Sequence, residues 1–130
     1  RAANFGQCLG LLPPSNTAVI SNVTLSPDSP KAGSNLEIKG SATTETNIDE
    51  DDLFIFAILD VTVSPPQPVF FPEPFYICAK TECNNTKTFN FDENYVLSLP
   101  SLPVKFVVGV AIGPNSSKVK ACGVAFFPEQ

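Results

Sequence analysis

Apolar and polar residues alternate along most of this chain with a period of two, which is the period of a β-strand. In the segment 35–42, the even positions are apolar or small and the odd positions are polar. The segment 19–25 shows a similar alternation, with Asn22 on the polar face. No helical period of comparable length is present, so each segment predicts a half-buried strand.

The segment 53–63 is apolar on both faces over its first half. One face carries Phe54, Phe56 and Ile58 and becomes polar at Asp60, whereas the other face stays apolar to the end. Such a strand lies in the centre of a sheet, or it contacts the core on one side and a ligand on the other. We expect the stripe of Phe54, Phe56 and Ile58 to face inward, because its rings demand burial.

Three further segments carry strand patterns, at 88–100, 104–113 and 118–127. The first is expected to supply one or two shorter strands, and a Gly-Pro-Asn-Ser-Ser turn separates the other two. Seven or eight short strands with turns between them predict an all-β fold, an antiparallel β-sandwich, in a single domain over residues 1–130. The acidic run at 47–52 is predicted to be a solvated loop.

The composition argues against several classes of function. The net charge is −5 and no basic run is present, so neither nucleic acid nor electrostatic adsorption to an anionic membrane is expected. The chain has no histidine, no Gly-x-Ser-x-Gly motif and no glycine-rich phosphate loop, so we expect no enzyme. The acidic run lacks the spacing of a calcium loop, and no metal site is expected.

Three features together predict the secretory pathway. The sequence begins with Arg1 rather than Met, which suggests a processed mature form. It has four cysteines, an even number that permits a disulfide framework. It also has three Asn-x-Ser/Thr acceptors for N-linked glycans, at Asn22, Asn84 and Asn115. We expect an extracellular protein or one of the lysosomal or vacuolar lumen.

The cysteines permit more than one arrangement. Cys78 and Cys83 are close enough for a bridge that closes a short loop, whereas Cys8 precedes the first strand and Cys122 lies in the last. Four cysteines can pair in three ways, and a four-cysteine zinc site is the other alternative.

Several segments, in order, resemble the ML (lipid-recognition) domain family almost from end to end. They are an opening "NFGQC", the pair of strands in "ISNVTLSPDSPKAGSNLEIKGSAT", the segment "FFPEPFYICAKTEC", and the final hairpin "LPSLPVKFVVGVAI…KVKACGVAFF". The chain departs from the family pattern in two places. "SPDSPKAG" lacks the cysteine of a third disulfide, and Asn84 stands where proline is frequent.

The resemblance implies an immunoglobulin-like sandwich whose two sheets part at one edge, so that a sterol or lipid tail lies between them. It also implies that Cys8 pairs with Cys122 and Cys78 with Cys83. A cavity of this kind needs apolar walls and few polar groups at its mouth. The candidate walls are Phe54, Phe56 and Ile58, together with Phe106, Val108 and Val110, and with Val96 and Leu99 at the far end.

The aromatic residues of the segment 69–83 are the candidate entrance. Phe70, Phe71 and Phe75 would surround the mouth, since the neighbouring prolines hold this segment in an extended path. Tyr76 and Lys80 are possible contacts for a lipid headgroup.

The expected function is therefore a secreted or lysosomal/vacuolar protein that binds and transfers one sterol, phospholipid or fatty acid, with no other cofactor. We expect it to be a monomer that contacts membranes, or a lipid-handling membrane protein, transiently. The alternative is an adhesion or recognition β-sandwich that binds a protein partner through exposed aromatic side chains.

Overall fold

The computed structural model describes residues 5–8, 18–115 and 118–128. The described part of the chain is all-β, with nine strands and one short 3₁₀ turn at Ile77–Ala79. The strands are β1 (Ala18–Val19), β2 (Asn22–Ser26), β3 (Asn35–Thr43), β4 (Leu53–Asp60), β5 (Gln67–Phe70), β6 (Phe75–Tyr76), β7 (Thr88–Val96), β8 (Phe106–Gly113) and β9 (Ala121–Phe127). No helix in these residues is long and apolar enough to cross a membrane.

The strands form two sheets. The larger sheet has the order β1-β9-β8-β4-β5, with β6 also paired to β4, and the smaller sheet has the order β2-β3-β7. All the described strand pairs are antiparallel except β1 with β9, which is parallel, so the predicted antiparallel arrangement is wrong for that pair. Residues 71–74, between β5 and β6, belong to no strand, because Pro72 and Pro74 have no N–H to donate to a ladder.

The two sheets pack through apolar inner faces, which is consistent with a β-sandwich. Phe54, Phe56 and Ile58 of β4 face inward, as predicted, and are 0–1% exposed. In the smaller sheet, Leu36 and Ile38 occupy the equivalent inner positions and are fully buried. The inner faces meet directly, since the ring centroid of Phe54 lies 4.8 Å from that of Phe91 on β7.

The larger sheet is buried on both faces around β8 and β9. Val107 and Ala111 of β8 point away from the smaller sheet, yet they are only 0% and 4% exposed. On β9, Cys122 pairs with Ala111 and Val124 with Gly109, and they are 3% and 4% exposed, whereas Phe126, the partner of Val107, is 43% exposed. The chain near Cys8 is held against β9, because Gly6 and Val124 exchange two backbone hydrogen bonds of 2.9 and 3.0 Å.

Both disulfides implied by the family resemblance are present. Cys8 is bonded to Cys122 across 114 residues, and Cys78 is bonded to Cys83 across five. The zinc alternative is therefore wrong for these four cysteines. The long bridge joins the N-terminal segment to the last strand, and the short one closes the loop after the 3₁₀ turn.

The strand boundaries differ from the predictions in several places. The strand predicted over residues 53–63 ends at Asp60. The last hairpin begins later than predicted: β8 begins at Phe106, with Val104 85% exposed before it, and β9 begins at Ala121. The segment 88–100, expected as one or two short strands, contains the single nine-residue strand β7.

The acidic loop at 47–52 is solvated only in part, which corrects its prediction. Asp52 is 0% exposed. Its Oδ2 accepts hydrogen bonds from Lys120 Nζ at 2.6 Å and from the backbone N–H of Asp49 at 2.9 Å. Its backbone carbonyl accepts the N–H of Ile77 at 3.1 Å. Asp52 therefore joins the loop to the final hairpin through its ion pair with Lys120, and to the 3₁₀ turn through its backbone carbonyl.

Candidate functional site

Aromatic side chains fill the space between the sheets along one edge of the molecule. On this side β7 is the edge strand of the smaller sheet, and β5 and β6 form the edge of the larger sheet. We call this cluster the aromatic edge. It consists of Phe54, Phe56, Phe70, Phe75, Phe89, Phe91 and Tyr95.

One group of rings surrounds Phe54. Its centroid lies 5.2 Å from Phe75 on β6, 5.8 Å from Phe89 and 4.8 Å from Phe91, both on β7. Phe75 and Phe89 also contact each other, with their centroids 6.3 Å apart. Phe75 of the larger sheet therefore reaches across the edge to the smaller sheet.

A second group of rings surrounds Phe56, two residues further along β4. Tyr95 stacks on Phe56 with the centroids 4.6 Å apart and the planes 7° from parallel. Phe70 contacts both rings edge-on, at 6.1 and 6.2 Å. Offset-stacked and edge-to-face pairs contribute about 0.5–1.5 kcal/mol each beyond their buried area. These ring contacts join β4 and β5 of one sheet to β7 of the other.

An ion pair lies beside the first ring group and also bridges the sheets. Glu93 is on the inner face of β7, between Phe91 and Tyr95, and its side chain is 20% exposed. Lys80 follows the 3₁₀ turn, and its Nζ is 3.2 Å from the Glu93 carboxylate and 4.1 Å from the centre of the Phe75 ring. The ammonium therefore makes an ion pair with one sheet and a cation–π contact with the other.

Tyr95 is the polar group nearest the second ring group. Burial raises the pKa of its hydroxyl to about 12, and the negative charge of Glu93 adds to the shift. The hydroxyl is therefore neutral at physiological pH, so Tyr95 presents an apolar ring with a neutral donor at the edge.

The predicted wall residues on β4 and β8 are packed against other protein atoms. Ile58 and Val108 are 0% exposed, and Val110 is 1% exposed. Phe106 is 7% exposed and stacks on Phe127 with the centroids 5.1 Å apart. A side chain that lined an empty cavity would keep surface accessible to water, so no open cavity adjoins the most buried of these residues.

The predicted entrance residues have different surroundings. Phe70 and Phe75 contact the other rings of the aromatic edge even without a lipid. Phe71, in contrast, is not part of the cluster, and its side chain is 57% exposed. Tyr76 is also exposed, at 55%.

The far end of the predicted wall requires a correction. Val96 is 62% exposed and lies on the outer face of β7, and Leu99 is partly exposed beyond the strand. The inner positions are Tyr95 and the fully buried Leu97, which the sequence argument missed. The signal was available, because a period of two that starts at Phe89 reaches Tyr95 and not Val96.

The three glycan acceptors are all exposed. Asn22 lies at the start of β2, Asn84 follows the short disulfide loop, and Asn115 lies in the β8–β9 turn. Among the residues that the structure describes, no group of three His, Cys, Asp or Glu side chains is arranged to hold a metal ion.

Comparison with known proteins adds no family to these observations. No protein-family model matches the chain, and no curated protein is significantly similar to it.

Proposed function

We propose that this protein binds one lipid between its two sheets and transfers it between membranes in the secretory route or in the lysosomal or vacuolar lumen. The ligand is a sterol, a phospholipid or a fatty acid. The observation that carries the proposal is the aromatic edge, where partly exposed rings lead from the surface to the buried apolar side chains between the sheets. The family resemblance and an immunoglobulin-like arrangement of the sheets support the same reading, and a monomer suffices for it.

Opening of the aromatic edge is the step that uptake requires. The sheets share no ladder there, so separation breaks ring contacts and the pair between Lys80 and Glu93, but no strand pairing. A lipid tail then replaces the lost ring contacts. Each buried CH₂ contributes about 0.8 kcal/mol, so a long acyl chain or a sterol skeleton can offset the separation.

The polar groups at this edge suit the polar end of a lipid. Lys80, Glu93 and the neutral hydroxyl of Tyr95 lie at the boundary between solvent and interior. A headgroup remaining at this boundary keeps its hydration, while the tail enters the apolar space. The proposed role requires no covalent chemistry.

Two matched variants test the position of the entrance. Tyr95→Ala removes a ring that must move before a lipid can enter, whereas Tyr76→Ala removes an exposed ring outside the cluster. Tyr95→Ala loses the ring contacts with both Phe56 and Phe70, about 1–3 kcal/mol together, and should speed the association of a fluorescent fatty acid or sterol by roughly 5- to 100-fold. The rate should not change in Tyr76→Ala. Equal rates in both variants would contradict this entrance.

The presence of a natural ligand is tested independently of these variants. The protein, purified from a eukaryotic cell line that secretes it, is extracted with organic solvent, and the extract is analysed by mass spectrometry. We expect one lipid species, or one lipid class, at up to one molecule per chain. The lipid-carrier proposal fails if no lipid is recovered and neither fluorescent analogue binds.

A recognition module is the second candidate function, and the closed interior favours it. The inner side chains of β4 are 0–1% exposed, as in a sandwich that never opens, and Phe71 and Tyr76 present exposed rings. Under this alternative the protein would bind a protein partner through those rings and would take up no lipid. The extraction and binding experiments distinguish the two functions.

A further inference from the structure

The outer face of the smaller sheet is polar along almost its whole length. Its side chains point away from the larger sheet and carry amides, hydroxyls and a few charges, and Val96 is the apolar exception. At its centre they form two cross-strand rows, one of Asn22, Ser41 and Asn90 and one of Thr24, Lys39 and Asp92.

These two rows line a shallow depression. Its volume is about 490 Å³, and Gly40 and Phe91 complete its floor. The ring of Phe91 faces the interior, so Phe91 contributes its polar backbone, and not its ring, to the surface of the depression. Sites that hold a small ligand generally measure about 300–1,000 Å³. The polar lining suits a ligand rich in hydroxyl groups and not a lipid tail.

The depression contains an acceptor for an N-linked glycan. Asn22 begins the sequence Asn-Val-Thr and lies on the edge strand β2. Its Nδ2 donates a hydrogen bond of 2.9 Å to the hydroxyl of Ser41 on the neighbouring strand. The nitrogen that would carry the sugar therefore points across the sheet and not away from it. A glycosylated amide keeps one N–H, so this contact can persist.

The dimensions of the sheet match the core of such a glycan. Asn22, Ser41 and Asn90 are cross-strand neighbours, so two strand spacings separate the first from the last. Each spacing is about 4.8 Å, which gives about 10 Å from the acceptor to Asn90. A disaccharide spans this distance. Amide, ammonium and carboxylate groups of Asn90, Lys39 and Asp92 lie within the same depression and are suitable partners for sugar hydroxyls.

We infer that this depression holds the chain's own carbohydrate, with the first two sugars of an N-glycan on Asn22 lying across the smaller sheet toward Asn90. The first two sugars then cover the centre of the sheet's outer face, over β3 and toward β7. This inference does not depend on lipid binding.

The experiment compares two glycoforms of one sequence. The protein is secreted from a eukaryotic cell line, and one half is treated with an endoglycosidase that leaves a single sugar on each acceptor. Peptide mass spectrometry establishes the occupancy of Asn22. Thermal unfolding is then measured for the wild type, for Asn90→Ala, and for Asn94→Ala, which is on the same face of β7 but outside the depression.

We expect Asn90→Ala to lower the melting temperature of the fully glycosylated protein by about 3 °C more than that of the trimmed protein, the effect of about one hydrogen bond. Asn94→Ala should lower the melting temperature of both glycoforms by the same amount. Native enzymatic release of the whole glycan should also be slower at Asn22 than at Asn84, which lies in an exposed loop. An unoccupied Asn22, or an Asn90→Ala effect that is equal in the two glycoforms, would overturn the inference.

Discussion

Removal of the Lys120 side chain should strongly destabilise the folded protein. Its partner Asp52 is 0% exposed, and the side chain of Lys120 is 24% exposed. In Lys120→Met the carboxylate stays buried with one remaining hydrogen bond, from the Asp49 N–H, and its Oδ1 already has no partner. Breaking a buried pair from one side costs about 3–5 kcal/mol. We expect the lower end, about 3 kcal/mol, because Lys120 is not fully buried.

Substitution of the other partner, Asp52, should lower the free energy of unfolding by less. In Asp52→Asn, Lys120 can still reach the Asn47 carbonyl at 3.0 Å and Asp49 Oδ2 at 3.5 Å, and it is open to water. The expected cost is about 1–2 kcal/mol, the net value of a charge-assisted hydrogen bond. The double variant should be more stable than Lys120→Met alone, because it leaves no buried charge unpaired.

The assay is urea unfolding of the oxidised protein at pH 7, with the free energy of unfolding taken by linear extrapolation. The control is that the free energy of unfolding falls equally steeply with urea concentration in all three variants, which shows that the unfolded state is unchanged. A cost below about 1 kcal/mol for Lys120→Met, or a larger cost for Asp52→Asn, would refute the reasoning from buried charge.

The same pair predicts a dependence on alkaline pH. Burial alone would lower the pKa of Lys120, but its hydrogen bond to Asp52 and the charges of Asp52 and Asp49 raise that pKa above its ordinary value. A raised lysine pKa stabilises the folded state fully below the unfolded pKa of about 10.4, and the stabilisation is lost as the pH rises through the folded value. The stability difference between wild type and Lys120→Met should therefore shrink above about pH 10.5. A constant difference up to pH 12 would contradict this sign.

Three further predictions concern single side chains. In Tyr76→Phe, Tyr95 is the remaining tyrosine and should ionise with a midpoint of about 12 by ultraviolet absorbance. A midpoint near 10 in a chain that circular dichroism shows to be folded would contradict its burial. Phe71→Ala should slow lipid transfer between vesicles without weakening lipid binding, since the ring is 57% exposed beside the entrance. Slower transfer with equally weaker binding would place Phe71 inside the site instead. Gly123→Ala should cost about 1–3 kcal/mol in urea unfolding, because a Cβ there would lie 2.0 Å from the carbonyl oxygen of Ile20. An unchanged urea midpoint would contradict the predicted clash with Ile20.

The local alternation of residues was enough to predict the inner face of β4. Phe54, Phe56 and Ile58 form the buried stripe because large rings without polar groups gain most from leaving water. The same reasoning applied to β7 failed at Val96, since the count along the strand was not continued from Phe89. The disulfide pairing followed from the family resemblance and could not be deduced from spacing alone.

Other features depend on contacts between residues far apart in the sequence. A run of four acidic residues is typical of a solvated loop, and nothing near Asp52 indicates that its partner is Lys120, 68 residues away. The parallel pairing of β1 with β9 could not be predicted either, because a two-residue strand is too short to show a pattern of alternation. The bridge from Lys80 to Glu93 likewise requires the two sheets to be in place.

Photo-crosslinking with a bound lipid tests the central proposal most directly. A sterol and a fatty acid, each with a photoactivatable group in the tail, are incubated with the purified protein, irradiated, and mapped by peptide mass spectrometry. We predict one lipid per chain, attached to inner residues of β4 and β7 such as Phe56 and Tyr95, and displaced by excess unlabelled lipid. Crosslinks confined to exposed rings such as Phe71 and Tyr76, or none that competes, would contradict a lipid site between the sheets.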